Sequence, residues 1–484
     1  MNKIIWVVKS NKIENYLFQS IINICEQFPN EIFEIFIDSN LKDSNIDYFK
    51  IFKRVDVHFK SFKDDPFSLK NLSQLNFPGL KIIDKTVDLS VSEWVIFENE
   101  LNSDYSDYTK LSQKGLIIFN HDSNEIKPSI LNKNKKLTVD FKIKRSGKNV
   151  WKNISNMSFI PEKGLLNSLE KKYWLLNLSL AKFLKNENDF TEIFRGKSVK
   201  ISKFKIGTYY FNLISSILQR KISKKEYNWK IGFKQNGGKT IMLKQPQGTF
   251  WADPFLVKEN DELYLFIEEL NLNKIGEIAC LKLDQNFEIV EKRTVLSDQS
   301  HFSFPNVFYK NGNYYMLPEN SEKDNLTLYK ATSFPFEWTF ERNLMENIKL
   351  LDAVWIFHNN LYWLFANKIN DHEFDNNDNL YLYYSDDLLN GEWKFHAQNP
   401  IITDSGKARN AGQIFVKNGK MFRPSQNCSE TYGANLVMNE ILELTTTNYS
   451  ETISEEIFPP KPFVGLHTFN SVEGIEVYDF LKEE

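Results

Sequence analysis

The sequence predicts an α/β domain at the N-terminus and an all-β propeller in the second half of the chain. The propeller is indicated by a hairpin that occurs four times. Successive copies are 51, 48 and 59 residues apart, with turns at Asn260-Asp261, Asn311-Gly312, Asn359-Asn360 and Asn418-Gly419. Apolar and aromatic residues flank each turn, as in two antiparallel strands around a tight turn. The spacing suits one four-stranded sheet per repeat, which is a propeller period.

The α/β domain is predicted over residues 1–160, where short apolar strands and a helical stretch alternate. Strands are expected at Ile4–Val8, Ile32–Ile37, Trp94–Phe97 and Leu116–Phe119, and a helix near Tyr16–Phe28. Strand, helix and strand in this order favour a small parallel sheet covered by helices. The first turn contains no glycine, so a dinucleotide-binding fingerprint is absent and no cofactor is expected.

A helical basic linker is predicted over residues 161–226, with helices at Gly164–Leu184 and about Ile206–Leu218. The stretch 191–230 holds ten Lys and Arg residues against two Glu. A basic amphipathic segment can lie on an anionic membrane surface, although such a segment is more often a solvated face. Peripheral membrane contact through 191–230 is therefore one expectation, and the propeller is expected from 227 to 484.

Composition excludes several functional classes. The net charge of −3 gives no argument for a nucleic-acid partner. Three distant cysteines without metal-ligand spacing indicate a reduced compartment. No catalytic metal is expected, and a structural cation on the propeller axis stays open. The apolar run at the N-terminus is too short for a signal peptide, so we expect a cytoplasmic protein, at most peripheral to the inner membrane. Abundant Asn, Lys, Ile and Phe suggest an AT-rich bacterial genome.

The repeat supplies a register that locates a candidate site. Seven residues before each turn stand Asp253, Phe304, Asp352 and Ala411, and eight residues after it stand Glu268, Glu319, Asn367 and Gln426. The start of one hairpin strand and the end of the next share an edge. The register therefore predicts an acidic, amide-rich mouth at one end of the propeller.

Two aspartates carry a first resemblance. Asp253 before Pro254-Phe255, and Asp352 at the start of the third repeat, resemble the five-bladed sugar-processing propellers of glycoside hydrolase families 43 and 32. That resemblance implies that Asp253 is the base or nucleophile and that Asp352 orients substrate. It also implies an acidic Glu from another blade, for which Glu319 is the candidate. Glycosyl transfer needs one group to protonate the leaving oxygen and another to activate the nucleophile.

The second half as a whole more closely resembles the N-terminal domain of glucosamine inositolphosphorylceramide transferases and its bacterial relatives. The motifs that carry this resemblance are His301–Asn306, Leu317–Asn320, Arg409–Gln413 and Leu466–Asn470. Where a family 43 hydrolase commonly presents its acidic Glu in blade four, this chain has Arg409-Asn410-Ala411, which argues against hydrolysis.

Six further residues are expected to bind substrate at this mouth: Trp251, His301, Arg409, Asn410, Arg423 and His467. Arginine forks bind phosphate bidentately, so a nucleotide sugar or phosphosugar fits better than a plain glycan. The alternative is that each arginine pairs with a neighbouring carboxylate and closes the propeller axis.

The N-terminal domain carries a separate resemblance. Asn120-His121-Asp122-Ser123 follows a strand and resembles the Asn-x-His-x-Ser region of formyltransferases, in which Asn and His polarise the formyl carbonyl. The Leu-Leu-Pro that normally follows is replaced here by Asn124-Glu125-Ile126. We therefore expect a degenerate formyltransferase-like domain that does not transfer formyl groups.

Together these features predict a carbohydrate-active protein, glycosyltransferase or glycoside hydrolase-like. It is expected to handle a glycosyl group or a phosphorylated or nucleotide sugar in bacterial surface-polysaccharide or glycolipid assembly. The alternative is a glycan-binding or partner-docking module without catalysis, which the missing blade-four Glu favours. The third possibility, a formyltransferase acting on an amino-sugar nucleotide, is disfavoured by the altered motif.

Overall fold

The protein is described by a computed structural model that covers most of the 484 residues. The described residues are 3–38, 68–83, 92–99, 105–109, 112–120, 137–159, 161, 165–193, 208, 227–271, 275–320, 322–369, 377–429 and 431–483. The chain divides into two compact units, Met1–Lys221 and Ile222–Glu484. Among the helices described, none has the length and apolar character needed to cross a membrane.

The N-terminal unit contains ten described strands and three described helices. The strands are β1 Lys3–Val8, β2 Lys12–Glu14, β3 Ile32–Ile37, β4 Leu69–Asn71, β5 Leu80–Ile83, β6 Ser92–Asn99, β7 Ser112–Asn120, β8 Leu137–Arg145, β9 Lys152–Phe159 and β10 Thr191–Ile193. The helices are α1 Asn15–Gln27, α2 Ser106–Thr109 and α3 Leu165–Lys185.

Eight of these strands form one mixed sheet in the order β10-β9-β8-β7-β6-β1-β3-β5. Strands β5, β3, β1, β6 and β7 are parallel, and β8 to β10 add antiparallel pairs. The central strands are nearly continuous buried apolar runs, as expected for a parallel sheet covered on both faces. The four predicted strands and the first helix are confirmed.

Helix α3 differs from its predicted place in a linker. It packs on α1, where the ring of Tyr173 stacks on that of Tyr16 with centroids 3.9 Å apart. Its apolar side chains, such as Leu176, join the core of the N-terminal unit, and β10 then pairs with β9. Helix α3 and strand β10 are therefore part of this unit, because the apolar face of the helix is buried there.

The formyltransferase resemblance gains no support. His121 and Ser123 lie outside the described residues, and Asn120 is the last residue of β7. The basic stretch 191–230 is likewise largely outside them. The parallel sheet agrees with the predicted α/β class, whereas the formyltransferase-like assignment and the membrane contact stay predictions.

The second unit is all β. Its strands are β11 Tyr227–Gln235, β12 Ile241–Met242, β13 Trp251–Glu259, β14 Glu262–Leu270, β15 Gly276–Leu283, β16 Ile289–Leu296, β17 Ser303–Lys310, β18 Asn313–Glu319, β19 Asn325–Ser333, β20 Glu337–Glu346, β21 Lys349–His358, β22 Leu361–Ile369, β23 Asn379–Ser385, β24 Lys394–Phe395, β25 Ile402–Thr403, β26 Arg409–Asn410, β27 Phe415–Lys417, β28 Lys420–Asn427, β29 Asn435–Leu444, β30 Tyr449–Ile457, β31 Gly465–Val472 and β32 Ile475–Glu483.

The described strands of this unit form five sheets, which are the blades of the predicted propeller. Blade 1 is β13–β16, blade 2 is β17–β20, blade 3 is β21–β25, blade 4 is β26–β30, and blade 5 is β12-β11-β32-β31. Blade 5 closes the ring because β11 pairs with β32 from Tyr227↔Glu483 to Gln235↔Ile475. The five-bladed propeller is confirmed, with Leu466–Phe480 in its last blade as predicted.

A bulge interrupts the first strand of several blades at the register position. Pairing shifts between Ala252 and Phe255 in blade 1, with equivalent shifts in blades 2, 3 and 5. Asp253, Phe304 and Asp352 have φ values of 50°, 47° and 47°. Non-glycine residues in this left-handed region cost about 1–3 kcal/mol each and need surrounding interactions to hold them.

In blade 4 the equivalent bend lies at Gly412, where the backbone of blade 5 approaches closely. Gly412 has φ +139°, and a Cβ added there would lie 1.8 Å from the Phe469 carbonyl oxygen of blade 5. We expect Gly412→Ala to lower the free energy of unfolding of the propeller by about 3 kcal/mol or more. Denaturant unfolding followed by tryptophan fluorescence measures this loss.

The matched control is Gly419→Ala in the turn of the same blade. Gly419 has φ +75° but no atom within 4 Å of the added Cβ, so only backbone strain of about 1 kcal/mol is expected. Equal losses for the two variants would contradict the close approach of blades 4 and 5.

Candidate functional site

A ring of hydrogen bonds joins the blades at the predicted mouth. At each junction, an inner backbone N–H of one blade donates to an acceptor on the preceding blade. The pairs are Phe304 N to Asp253 Oδ2 at 3.2 Å, Asp352 N to Glu319 Oε2 at 3.1 Å, Asn410 N to Asn367 Oδ1 at 3.2 Å, Phe469 N to Ala411 O at 2.7 Å and Asp253 N to Asp479 Oδ2 at 3.1 Å. The ring brings the predicted carboxylates to one end of the propeller.

Asp253 is fully engaged at the junction of blades 5 and 1. Its Oδ1 accepts a hydrogen bond of 2.8 Å from the Thr468 hydroxyl and lies 3.2 Å from His467 Nε2. The other His467 nitrogen, Nδ1, lies 2.7 Å from Asp479 Oδ2. Burial opposes ionisation of Asp253, but the hydrogen bond and charge of His467 outweigh it, and the pKa of Asp253 is lowered.

His467 is the cation of this triad. Burial disfavours its charged form, but the carboxylates of Asp479 and Asp253 dominate and raise the pKa of His467 to about 10. Its ring stacks on Trp229 with centroids 3.9 Å apart and meets the edge of Tyr432 at 5.4 Å. The three polar residues could bring ligand atoms within 4.8 Å of one another. With its imidazole protonated, His467 forms an ion-pair triad with the two carboxylates.

Glu319, Asp352 and Arg409 form the second charged group. Arg409 Nε donates to Asp352 Oδ2, and its Nη2 lies 3.7 Å from Glu319 Oε2. Burial, and then the charge of Asp352, hold the pKa of Glu319 well above its usual range. Burial also raises the pKa of Asp352, although Arg409 opposes the shift. Because Arg409 bonds directly to Asp352, we assign the proton to Glu319 and the charge to Asp352.

The two charged groups influence each other. The charge of Asp253 is among the causes that raise the pKa of both Glu319 and Asp352. Tyr432 stands between the groups, since its ring lies 5.7 Å from the Arg409 guanidinium and also contacts His467. Tyr432 is 44% exposed, so part of this residue is accessible to solvent beside the carboxyl groups.

Two predicted substrate-binding residues are structural instead. Arg423 is fully buried, donates to both carboxylate oxygens of Glu451 at 3.0 and 2.9 Å, and also bonds to Lys407 O and Asn410 Oδ1. Trp251 is fully buried in the core of blade 1, and its indole N–H donates to Glu269 Oε1 at 2.9 Å. Because both side chains are buried and bonded to protein partners, the prediction that they contact ligand gains no support.

Asn410 is also buried, and its hydrogen bonds serve the axis. Its amide Nδ2 donates to Asp352 O at 2.8 Å and to Phe365 O at 3.1 Å, and its Oδ1 accepts from Arg423. Asn410 therefore supports the backbone that carries Asp352, so its effect on a ligand would be indirect.

His301 lies at the partly open side of the mouth. Its Nε2 lies 3.0 Å from Glu268 Oε1, and its Nδ1 accepts a 3.0 Å hydrogen bond from Gly276 N. The His301 side chain is 34% exposed, whereas that of Glu268 is 10% exposed. Burial raises the pKa of Glu268 to about 7, with the Asp253 charge adding to the shift and His301 opposing it.

The structure therefore brings together Asp253, Asp352, Glu319, Arg409, His301 and His467 at one end of the propeller. Sequence analysis did not assign roles to four residues that complete the cluster: Glu268, Trp229, Tyr432 and Asp479. Glu268 was visible in the repeat register. The other three lie outside the four recognised hairpins, so the repeat held no signal for them.

The family comparison matches the propeller half. The family model described as glucosamine inositolphosphorylceramide transferase 1, N-terminal, matches residues 206–459. Glucosamine inositolphosphorylceramide transferase 1 from Oryza sativa subsp. japonica is 38% identical over 206 residues, which are 42% of this chain and 27% of that protein. The Arabidopsis thaliana protein of the same name is 35% identical over an equal length. The aligned residues thus span about a quarter of these relatives, which are plant proteins. The bacterial origin expected from composition stays a prediction.

Solved structures also resemble part of the chain. A thermostable family-43 glycoside hydrolase is 12% identical, with a TM-score of 0.36 and coverage of 50% of this chain and 89% of that one. An α-L-arabinofuranosidase from Lactobacillus brevis is 13% identical, also with a TM-score of 0.36, and covers 48% and 90%.

The His467 triad generates a pH-dependent stability prediction. The folded-state pKa of His467 is about 10, above an unfolded value of about 6.5. Its protonation therefore stabilises the fold fully below pH 6.5, and this contribution falls as the pH rises towards 10. We expect the stability difference between wild type and His467→Gln to shrink across that window, measured by urea unfolding at several pH values. A difference independent of pH would contradict the buried imidazolium.

Proposed function

The chain belongs to the family of the N-terminal domain of glucosamine inositolphosphorylceramide transferase 1, and we propose that its propeller mouth handles a glycosyl group during transfer. The observation that carries this proposal is the group of Glu319, Asp352 and Arg409. It places two buried carboxyl groups, whose pKa values are both raised, against one guanidinium. A protonated carboxyl beside an ionised one supplies the acid that a departing glycosidic or phosphate oxygen needs.

We assign the roles from the contacts of each group. Glu319 is the proton donor, since its pKa is raised by burial and by Asp352. Asp352 and Arg409 fix the position of Glu319 and set its protonation. Asp253, expected from the sequence to be the base, has three donors on its two oxygens and a lowered pKa. A carboxylate that accepts three donors is a weak base. We therefore propose that Asp253 holds blades 1, 2 and 5 together at the mouth.

The chemical context of the proposal comes from the relatives. Their name joins glucosamine, inositolphosphorylceramide and transfer, so we propose an amino sugar or inositol-containing glycolipid as the substrate class. A phosphorylated or nucleotide sugar as the donor, and a place in surface-polysaccharide or glycolipid assembly, belong to the same proposal. Arg423 is buried and paired with Glu451. Of the two arginines, Arg409 is therefore the one that we propose to contact a phosphate group.

A second candidate function is a glycan-binding module without catalysis. The observation that favours it is the use of Asp253 and Glu319 as acceptors for the backbone N–H groups of neighbouring blades. In this role the exposed ring of Tyr432 would stack on a sugar, and the carboxylates would bind its hydroxyl groups. Binding would then occur without turnover.

Glu319→Gln separates the two candidates. A glutamine keeps both a hydrogen-bond acceptor for Asp352 N and a donor, as the protonated carboxyl has, but it cannot release a proton. We expect turnover of nucleotide-activated glucosamine with inositolphosphorylceramide to fall by about 100-fold or more. The affinity for donor and acceptor, measured by calorimetry, should change little.

The control is Glu337→Gln, an exposed position on the same blade, which should leave both measurements unchanged. Sugar binding by the wild type without any turnover would support the binding module instead. If the wild type neither binds nor turns over the sugar donor or the acceptor, the proposed function is wrong.

A further inference from the structure

We propose that Glu268 and His301 form a proton-exchanging pair at the propeller mouth, in which Glu268 takes a proton from a sugar hydroxyl and His301 positions Glu268. The inference rests on the proposed function and adds the base that the group of Glu319, Asp352 and Arg409 lacks.

The first argument is that, in the chain as the structure describes it, the Glu268 carboxylate does not accept a backbone N–H at a blade junction, unlike Glu319 at the same register position. Four residues share its register position, namely Glu268, Glu319, Asn367 and Gln426. Glu319 and Asn367 accept backbone N–H groups of the next blade, and Gln426 donates to Asn410 O within its own blade. At the corresponding junction of blades 1 and 2, the acceptor is Asp253. Among the described residues, the Glu268 carboxylate contacts His301. Glu268 is therefore not needed as the acceptor that joins blades 1 and 2.

The second argument is the fixed orientation of His301. The Gly276 N–H points at Nδ1 from 3.0 Å, which places the proton of the neutral ring on Nε2. That proton faces Glu268 Oε1 at 3.0 Å. A Cβ at position 276 would lie within 2.9 Å of the His301 ring, so the ring packs closely on this backbone. His301 thus holds one oxygen of Glu268, and within the described part of the chain the other is left for a ligand.

The third argument is the electrostatic setting. The carboxyl of Glu268 is almost buried, yet the His301 ring beside it is one-third exposed, so protons can pass between this pair and solvent. Burial raises the pKa of Glu268 to about 7, and the hydrogen bond that His301 donates to Glu268 raises the pKa of His301. The other charges that act on the pair are Asp253, His467 and Glu322. A base near neutral pH accepts a hydroxyl proton most effectively.

The step balances as a displacement. The O–H bond of an acceptor hydroxyl breaks, and its proton forms a bond with Glu268 Oε2. The electron pair left on that oxygen forms the new bond to the anomeric carbon of the donor. The bond from this carbon to the leaving oxygen breaks, and that oxygen takes the electron pair and the proton of Glu319. Exchange with solvent then returns a proton to Glu319 and removes one from Glu268.

A spectroscopic experiment tests the pair without requiring turnover. In protein labelled with ¹⁵N-histidine, wild-type His301 should show the Nε2–H tautomer, and Glu268→Gln should move its titration midpoint to lower pH because a carboxylate is removed. Glu262→Gln is the matched control, since Glu262 lies at the other end of β14 and pairs with Lys282. An Nδ1–H tautomer, or a midpoint that does not move in Glu268→Gln, would overturn the inference.

Kinetics tests the exchange with sugar. The pH profile of kcat/KM with nucleotide-activated glucosamine should rise through a limb near pH 7. We expect Glu268→Gln to lose this limb and about 100-fold in kcat. His301→Ala should move the limb to higher pH, because the hydrogen bond that lowers the pKa of Glu268 is lost.

The two proposals can fail separately. Wild-type turnover with an unchanged pH profile in Glu268→Gln rejects the pair while leaving the proposed function in place. Absence of wild-type turnover rejects the transferase role, and the inference with it, whatever the titration of His301 shows.

Discussion

The hydrogen-bonded ring at the blade junctions is the constraint on which the rest of the propeller depends. Each blade bends its innermost strand at the mouth, and the bend turns a backbone N–H towards the preceding blade. A buried N–H without a partner costs about 1–3 kcal/mol, and the left-handed conformation adds strain at Asp253, Phe304 and Asp352. The side chain or carbonyl that accepts each N–H offsets this cost and fixes the rotation of one blade against the next.

This constraint explains why the mouth is acidic and why its acids are not chemically equivalent. Asp253 and Glu319 each accept a backbone N–H, but their remaining contacts differ. Asp253 faces a protonated His467 and is held ionised, whereas Glu319 faces the charged Asp352 and is held neutral. Glu268 does not accept a backbone N–H from the described residues, because Asp253 already accepts the Phe304 N–H at the junction of blades 1 and 2. The same architectural need therefore produces an ion pair, a neutral acid and a carboxylate of intermediate acidity within one cluster.

The hairpin repeat predicts the positions of residues that recur in each blade. It does not predict the side chains that pair with them, because those side chains lie at positions that do not recur. The hairpin turns specify the strand register, and the register alone places Asp253, Asp352 and Glu319 at one end of the propeller. The side chain that neutralises each charge was not predictable in the same way. Arg423 lies near the mouth by register, yet it pairs with Glu451, two strands away in the same blade. Trp251 lies two residues before Asp253, but the bulge between Ala252 and Phe255 interrupts the alternation of the strand, and the indole is buried in the core. Helix α3 was misplaced for a related reason, since an amphipathic helix does not reveal which surface covers its apolar face.

Closure of the ring by blade 5 makes assembly of the site inseparable from the folding of the propeller. His467 lies on β31 and Asp479 on β32, and β32 is held in its sheet by pairing with β11, more than two hundred residues earlier in the chain. Trp229 lies on β11, which flanks β32 on the side opposite to β31, and its ring stacks on His467. Until β11 and β32 pair, Asp253 lacks the imidazolium that keeps it ionised, and its N–H lacks Asp479. The electrostatics that separate Asp253 from Glu319 and Glu268 therefore arise only in the closed propeller.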